Sequence, residues 1–205
     1  MVVHIDVKYN ARPFPHAIVD NFYNDFELSA VWRELDFLTH PDKLCSENDT
    51  ASAKSDGVQL KKNFGLFLDE AYANNRSISD ILRIGRNTFT SEMLTYLQQQ
   101  HWIFKYIARC SSDYMLLSYY ENNSSYKPHV DKCTMTSLTH LFKQPKKFTG
   151  GDLVFTEFDN YTLPVQNNRC IIFPSIIEHA VTEVRLPEDE KMTGNGRYCV
   201  THFFV

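Results

Sequence analysis

Glycine is scarce in this sequence, 7 residues in 205, and no internal repeat is visible. A collagen-like or low-complexity chain is thereby excluded, since glycine would dominate its composition. Long apolar runs are also missing: no stretch reaches the roughly 20 residues that a membrane-spanning helix needs. The opening Met1-Val2-Val3-His4 has neither the basic start nor the apolar middle of a secretion signal. The five cysteines (Cys45, Cys110, Cys133, Cys170, Cys199) form no C-x-x-C pair, which removes the common zinc and redox spacings and fits reduced thiols. A cytoplasmic setting is the expectation. Positive charge is not in excess either, because the formal net charge is -4. That argues against a broad electrostatic grip on nucleic acid.

What is present is apolar and aromatic mass. A hydrophobic fraction of 43%, with 15 Phe and 11 Tyr, is enough for a sizeable core in a single domain over residues 1–205. Phe14 to Asp20 reads as a short strand, followed by a helix with Asn24 as N-cap and Leu28, Val31, Trp32, Leu35 and Leu38 on one face. From His40 to about Gly65 periodicity dissolves, which is the pattern of a lid or binding loop or of a solvated surface insertion. A second helical stripe runs from Ser77 to Gln100 through Ile78, Ile81, Leu82, Phe89, Met93, Tyr96 and Leu97, with Ser77 and Asp80 as a capping box. Beyond His101 short apolar runs alternate with turn signals at Glu121–Ser125, Gly150-Gly151, Gln166–Asn168 and Gly194–Gly196. Helices first and short strands afterwards predict a mainly β protein: a jelly roll over roughly 101–205, buttressed by helical support over roughly 1–100.

Three His-x-Asp triplets stand in the chain: His4-Ile5-Asp6, His40-Pro41-Asp42 and His129-Val130-Asp131. On a strand, residues two apart share a face, so an imidazole and a carboxylate can reach one ion together. His4 and Asp6 lie at the start of the chain and Pro41 marks a helix exit. Only His129 and Asp131 open the strand-rich half. A mononuclear iron centre that leaves positions open for reactants asks for one more ligand, typically two His and one carboxylate. His179, between the runs Cys170–Phe173 and Ala180–Val184, is the candidate; the alternative is a hydrogen-bonded strand-edge histidine. After the Gly194–Gly196 turn, period 2 puts Arg197, Cys199 and Thr201 on one face. An inward arginine needs an acidic partner, which a bound dicarboxylate could supply; the alternative is a surface arginine beside a turn.

Tyr119, His129-Val130-Asp131, the segment Phe148-Thr149-Gly150-Gly151-Asp152-Leu153-Val154-Phe155, His179 and Gly196-Arg197-Tyr198 occur in the order seen in 2-oxoglutarate and Fe(II)-dependent dioxygenases. From Ser118 to Val205 the chain resembles the prolyl 4-hydroxylase-like branch of that superfamily. The resemblance implies a double-stranded β-helix with His129, Asp131 and His179 as iron ligands, catalytic in that role. It implies that Arg197 pairs with the far carboxylate of 2-oxoglutarate, that Tyr119 hydrogen-bonds the co-substrate and that Thr201 lies near it. His140 stands where the family often has a tyrosine, and is either a co-substrate contact or a core residue. Arg197 follows His179 by 18 residues, farther than is usual in the family, and Arg185 is the rival at 6.

The chemistry so implied uses Fe(II), 2-oxoglutarate and O2, with ascorbate as a candidate reductant. It hydroxylates a C–H bond and releases succinate and CO2. The resemblance points to a prolyl or other residue of a peptide or protein as substrate, with a free amino acid or another small molecule as the alternative. Nucleic-acid demethylases of the superfamily carry a second arginine where this chain has Phe203, which with the acidic balance lowers that option. A jelly-roll module that binds metal without turnover is the reading from outside enzymology. No membrane partner is expected.

Overall fold

The computed structural model describes residues 6–39, 43–46, 54–55, 57–89 and 91–205. Strands β1 (Asp6–Asn10) and β2 (His16–Asp20) pair antiparallel, and the helix α1 (Asp25–Leu38) follows. The Asn24 side chain accepts from the Glu27 amide at 2.9 Å while the Glu27 carboxylate accepts from the Asn24 amide at 3.0 Å. This reciprocal cap fixes where α1 begins. Four short strands come next: β3 (Lys54–Ser55), β4 (Val58–Gln59), β5 (Lys61–Lys62) and β6 (Phe64–Phe67). Helices α2 (Leu68–Ala71), α3 (Asp80–Thr88) and α4 (Ser91–Gln100) precede the strand-rich half. There the chain runs through β7 (Asp113–Tyr120), β8 (Ser125–His129), β9 (Met135–Leu141), β10 (Leu153–Phe155), β11 (Tyr161–Leu163), β12 (Arg169–Pro174), β13 (His179–Val181) and β14 (Arg197–Phe204).

The strands form a seven-stranded sheet in the order β1-β2-β12-β9-β14-β7-β6 and a five-stranded sheet in the order β11-β10-β13-β8-β5. From β7 onward the chain passes back and forth between the two, so pairs such as β9 and β12 meet across long sequence separations. This is the double-stranded β-helix, mainly β as expected. Leu138, Phe155, Ile171, Phe173 and Cys199 fill the space between the sheets. Val31, Leu35, Leu82, Leu97, Leu117, Leu141 and Val200 form a second core between the large sheet and the helices. Both faces of the central strands are therefore buried, and β2, β12, β9, β14 and β7 divide their residues between the two cores by period 2.

Two sequence expectations change. The stretch read as structureless from His40 to Gly65 contains strands: β3 pairs with β4, β5 with β8 and β6 with β7. His40 and residues 47–53 lie outside the described residues. The stripe from Ser77 to Gln100 is two helices, and Ser79 rather than Ser77 caps the first, accepting from the Leu82 amide at 3.1 Å. Glu34 of α1 accepts from the Ile81 amide at 2.8 Å, so a tertiary contact satisfies another donor of that helix start. Ile78 is exposed. Among the described residues no helix is long and apolar enough to cross a membrane.

Candidate active site

His129 closes β8 and His179 opens β13, and the two are cross-strand partners. Barrel closure thus brings together residues 50 positions apart, with ring centroids at 4.3 Å. Asp131, two residues past His129, is held by its amide donating to the Ser175 carbonyl at 3.2 Å. Its Oδ1 lies 3.7 Å from Nε2 of His129 and its Oδ2 lies 3.6 Å from Nε2 of His179. One ligand atom from each of the three residues lies within 4.8 Å of the others, close enough to share an ion.

The surroundings prepare these groups for a metal. Nδ1 of His129 lies 2.9 Å from the Lys127 carbonyl, and Nδ1 of His179 lies 3.0 Å from the Ile177 carbonyl. A carbonyl only accepts, so each ring carries a proton on Nδ1 and turns Nε2 toward Asp131. Burial, reinforced by the neighbouring His179, lowers the pKa of His129 to about 3, which keeps the imidazole neutral. The Tyr126 ring stacks on His129 at 3.5 Å, and Phe173 meets His179 edge-on at 4.9 Å. The Thr136 hydroxyl donates to Asp131 Oδ2 at 2.7 Å and lies 2.8 Å from the Ser175 hydroxyl, which in turn lies 2.9 Å from the Cys133 thiol. Thr136 and Ser175 carried no motif signal and were missed in the sequence; only their places on a strand and at its end could have suggested them.

Arg197 starts β14 and is 0% exposed. None of its three guanidinium nitrogens has a hydrogen-bond partner among the described residues, and its guanidinium carbon sits 4.6 Å above the Tyr120 ring. A buried cation left this way is costly unless an anion joins it. The site therefore fits an acidic ligand. His140, opposite Cys199 on the neighbouring strand, is fully buried with both ring nitrogens unpartnered. Burial, then the charges of Arg197 and Arg169, holds its pKa well below the usual histidine value, so it is neutral. Thr201 follows Arg197 and Cys199 on the same strand parity and is buried.

Two candidates fall elsewhere. Tyr119 does not face the space between the sheets: it joins the core under the helices, its hydroxyl donating to Glu121 at 2.8 Å and accepting from the Gly196 amide at 3.2 Å. Its neighbour Tyr120 faces Arg197, because adjacent strand residues point to opposite sides. Arg185, the rival anchor, has a side chain 75% exposed and pairs with Glu183 at 3.0 Å. Of the other triplets, His4, His40 and Asp42 lie outside the described residues, and Asp6 is exposed beside Lys8.

Residues 114–205 match the family model described as the 2OG-Fe(II) oxygenase superfamily. The match takes in the strands from β7 onward and the residues of the site, and it is a likeness over just under half of the chain. No curated protein matches the sequence. Among solved structures, the chain is similar to a prolyl-4-hydroxylase from Pseudomonas putida at 14% identity, over 92% of this chain and 91% of that one, with TM-score 0.56. It is similar to a prolyl hydroxylase from Trichoplax adhaerens, solved with a peptide fragment of the hypoxia inducible factor oxygen degradation domain. That match has 12% identity, covers 92% and 82%, and has TM-score 0.60. An alpha ketoglutarate dependent epimerase of nogalamycin biosynthesis is similar at 10% identity, over 93% and 77%, with TM-score 0.55. At such identities these likenesses carry the fold. The superfamily named by that match implies Fe(II), 2-oxoglutarate and O2, and the donor set here suits them: two imidazoles and a carboxylate on one side, and within it a buried guanidinium that has no hydrogen-bond partner among the described residues.

Proposed function

We propose that the protein is a 2-oxoglutarate- and Fe(II)-dependent oxygenase that hydroxylates a C–H bond of a peptide or protein, a prolyl residue being the leading candidate, and that residues 1–205 act as one catalytic unit. His129, Asp131 and His179 would hold Fe(II), while Arg197 takes the distal carboxylate of 2-oxoglutarate in a bidentate pair. Bound there, the iron supplies oxygen activation, coupled to oxidative decarboxylation of 2-oxoglutarate to succinate and CO2. The chain's own work is positional. The carbonyls of Lys127 and Ile177 fix both histidine tautomers, Thr136 orients Asp131, and Tyr126 and Phe173 wall the histidines with aromatic rings. The fully buried guanidinium of Arg197, without a hydrogen-bond partner among the described residues, is the observation that carries the reading, because a structural arginine would have found a carboxylate in the protein.

An exposed apolar rim supports the peptide substrate. Val130, which lies between His129 and Asp131 in the sequence, and Ile176, next to Ser175, are 49% and 77% exposed. An extended chain could lay a side chain against that edge. The P. putida and T. adhaerens structures, a prolyl-4-hydroxylase and a prolyl hydroxylase, agree with that class. The test is succinate formation from 2-oxoglutarate with Fe(II) and a panel of proline-containing peptides. Turnover that Asp131→Ala abolishes is the expected result. Turnover only with free amino acids would move the substrate to small molecules. Failure of the wild-type chain to bind 2-oxoglutarate at all would leave a metal-binding module.

A further inference from the structure

The short crossing between the two sheets brings a side chain from outside the family match into the same interior. Lys61 of β5 pairs with Tyr126 of β8 in the small sheet, and Phe64 of β6 pairs with Tyr119 of β7 in the large sheet. Between them Asn63 stands opposite Tyr120, the residue whose ring lies under Arg197. Asn63 is 1% exposed, and neither its carboxamide oxygen nor its nitrogen has a hydrogen-bond partner among the described residues. The Tyr120 phenol feels both neighbours: burial raises its pKa, Arg197 opposes the rise, and the Asn63 amide approaches it. Arg197, His140 and Asn63 thus place unpartnered polar atoms in one protein interior.

Orphaned buried amides are rare because an unmet donor or acceptor costs free energy that a same-shaped leucine would avoid. A carboxylate offers about four lone-pair sites, of which a bidentate arginine fills two. Two are left for other donors. Given the co-substrate reading above, on which this step rests, we propose that Asn63 is a 2-oxoglutarate-binding residue, its carboxamide nitrogen donating to the carboxylate that Arg197 holds. The segment before the family match then supplies part of the co-substrate pocket.

Calorimetric titration of 2-oxoglutarate into the full chain loaded with Mn(II) tests this without turnover. Asn63→Leu keeps the packing and removes the donor, so the dissociation constant should rise about tenfold or more, the usual loss for one hydrogen bond to a charged group. Asn63→Asp puts a carboxylate beside the guanidinium and should abolish measurable binding. Arg197→Gln serves as the reference arm. If it loses 2-oxoglutarate while Asn63→Leu binds like wild type, Asn63 holds only a water and the inference is overturned, with the functional reading intact. If Arg197→Gln also binds like wild type, the co-substrate reading itself falls and takes the inference with it.

Discussion

Thr136 shows how little of a metal centre is written in its ligands. Its hydroxyl donates to Asp131 and is tied to Ser175, whose backbone carbonyl receives the Asp131 amide. The carboxylate is therefore fixed from two directions. Partners of this kind are worth about 10- to 100-fold in metal affinity. Thr136→Val should weaken Mn(II) binding by about that factor, and Thr136→Ser should restore it; a Val variant binding as wild type would show that the hydroxyl does not orient Asp131. The sequence singled out, where chemistry is rare, the three residues the structure brings together, His129, Asp131 and His179, and the arginine it buries, Arg197. It was ambiguous at the tyrosine pair, since a one-residue slip exchanges the faces of a strand and two adjacent tyrosines offer no contrast to set the register. Tyr119→Phe, which loses the bonds to Glu121 and Gly196, should cost about 1 kcal/mol of stability in denaturant titration. Its affinity for 2-oxoglutarate should match wild type.

At the scale of elements, the Gly150-Gly151 turn shapes the anchor's surroundings. Gly151 has φ +77°, and a Cβ there would lie 2.8 Å from Cδ of Arg197. The arginine stem is flexible, so Gly151→Ala should fold less stably and hold its guanidinium displaced, raising the KM for 2-oxoglutarate more than it lowers kcat. Equal KM values would show that the turn and the anchor are not coupled. Gly150 leaves no such escape, because its Cβ would come within 2.0 Å of the Glu183 carbonyl oxygen. The glycine pair was visible in the sequence as a turn; its contact with Arg197 was not, since it depends on β14 passing alongside. The strands from β3 to β6 were illegible for a different reason. A two-residue strand contains no full period, and β5 exists only because β8, more than 60 residues later, offers it an edge. Capping was easier to read: Asn24 and Glu27 satisfy each other locally, whereas the start of α3 depends on Glu34 from another helix.

Over the whole molecule, burial of histidine sets the response to acid. His16, His140 and His202 all have pKa values lowered from the usual 6.5, in each case chiefly by burial. The unfolded chain therefore binds more protons than the folded one as pH falls through that value. Stability rises with pH wherever the unfolded state holds the extra protons, so it is fully present above about pH 7 and declines below it, by at most about 1.4 kcal/mol per pH unit for each such group. Asp20, held below the usual carboxylate range by hydrogen bonds from Arg169, adds a second loss of the same sign below about pH 4. Asp113 does the same: burial would raise its pKa, but His202 and Arg86 together outweigh that. Metal-free protein should melt at progressively lower temperature from about pH 7 to pH 5. His16→Phe should flatten the slope, since the ring stays between Phe14 and Tyr161 while the titrating group is gone. A melting temperature that holds steady or climbs over that interval would mean these imidazoles are already protonated in the folded chain. His140 would then carry a charge facing Arg197, and the pocket could no longer be described as one cation awaiting one carboxylate.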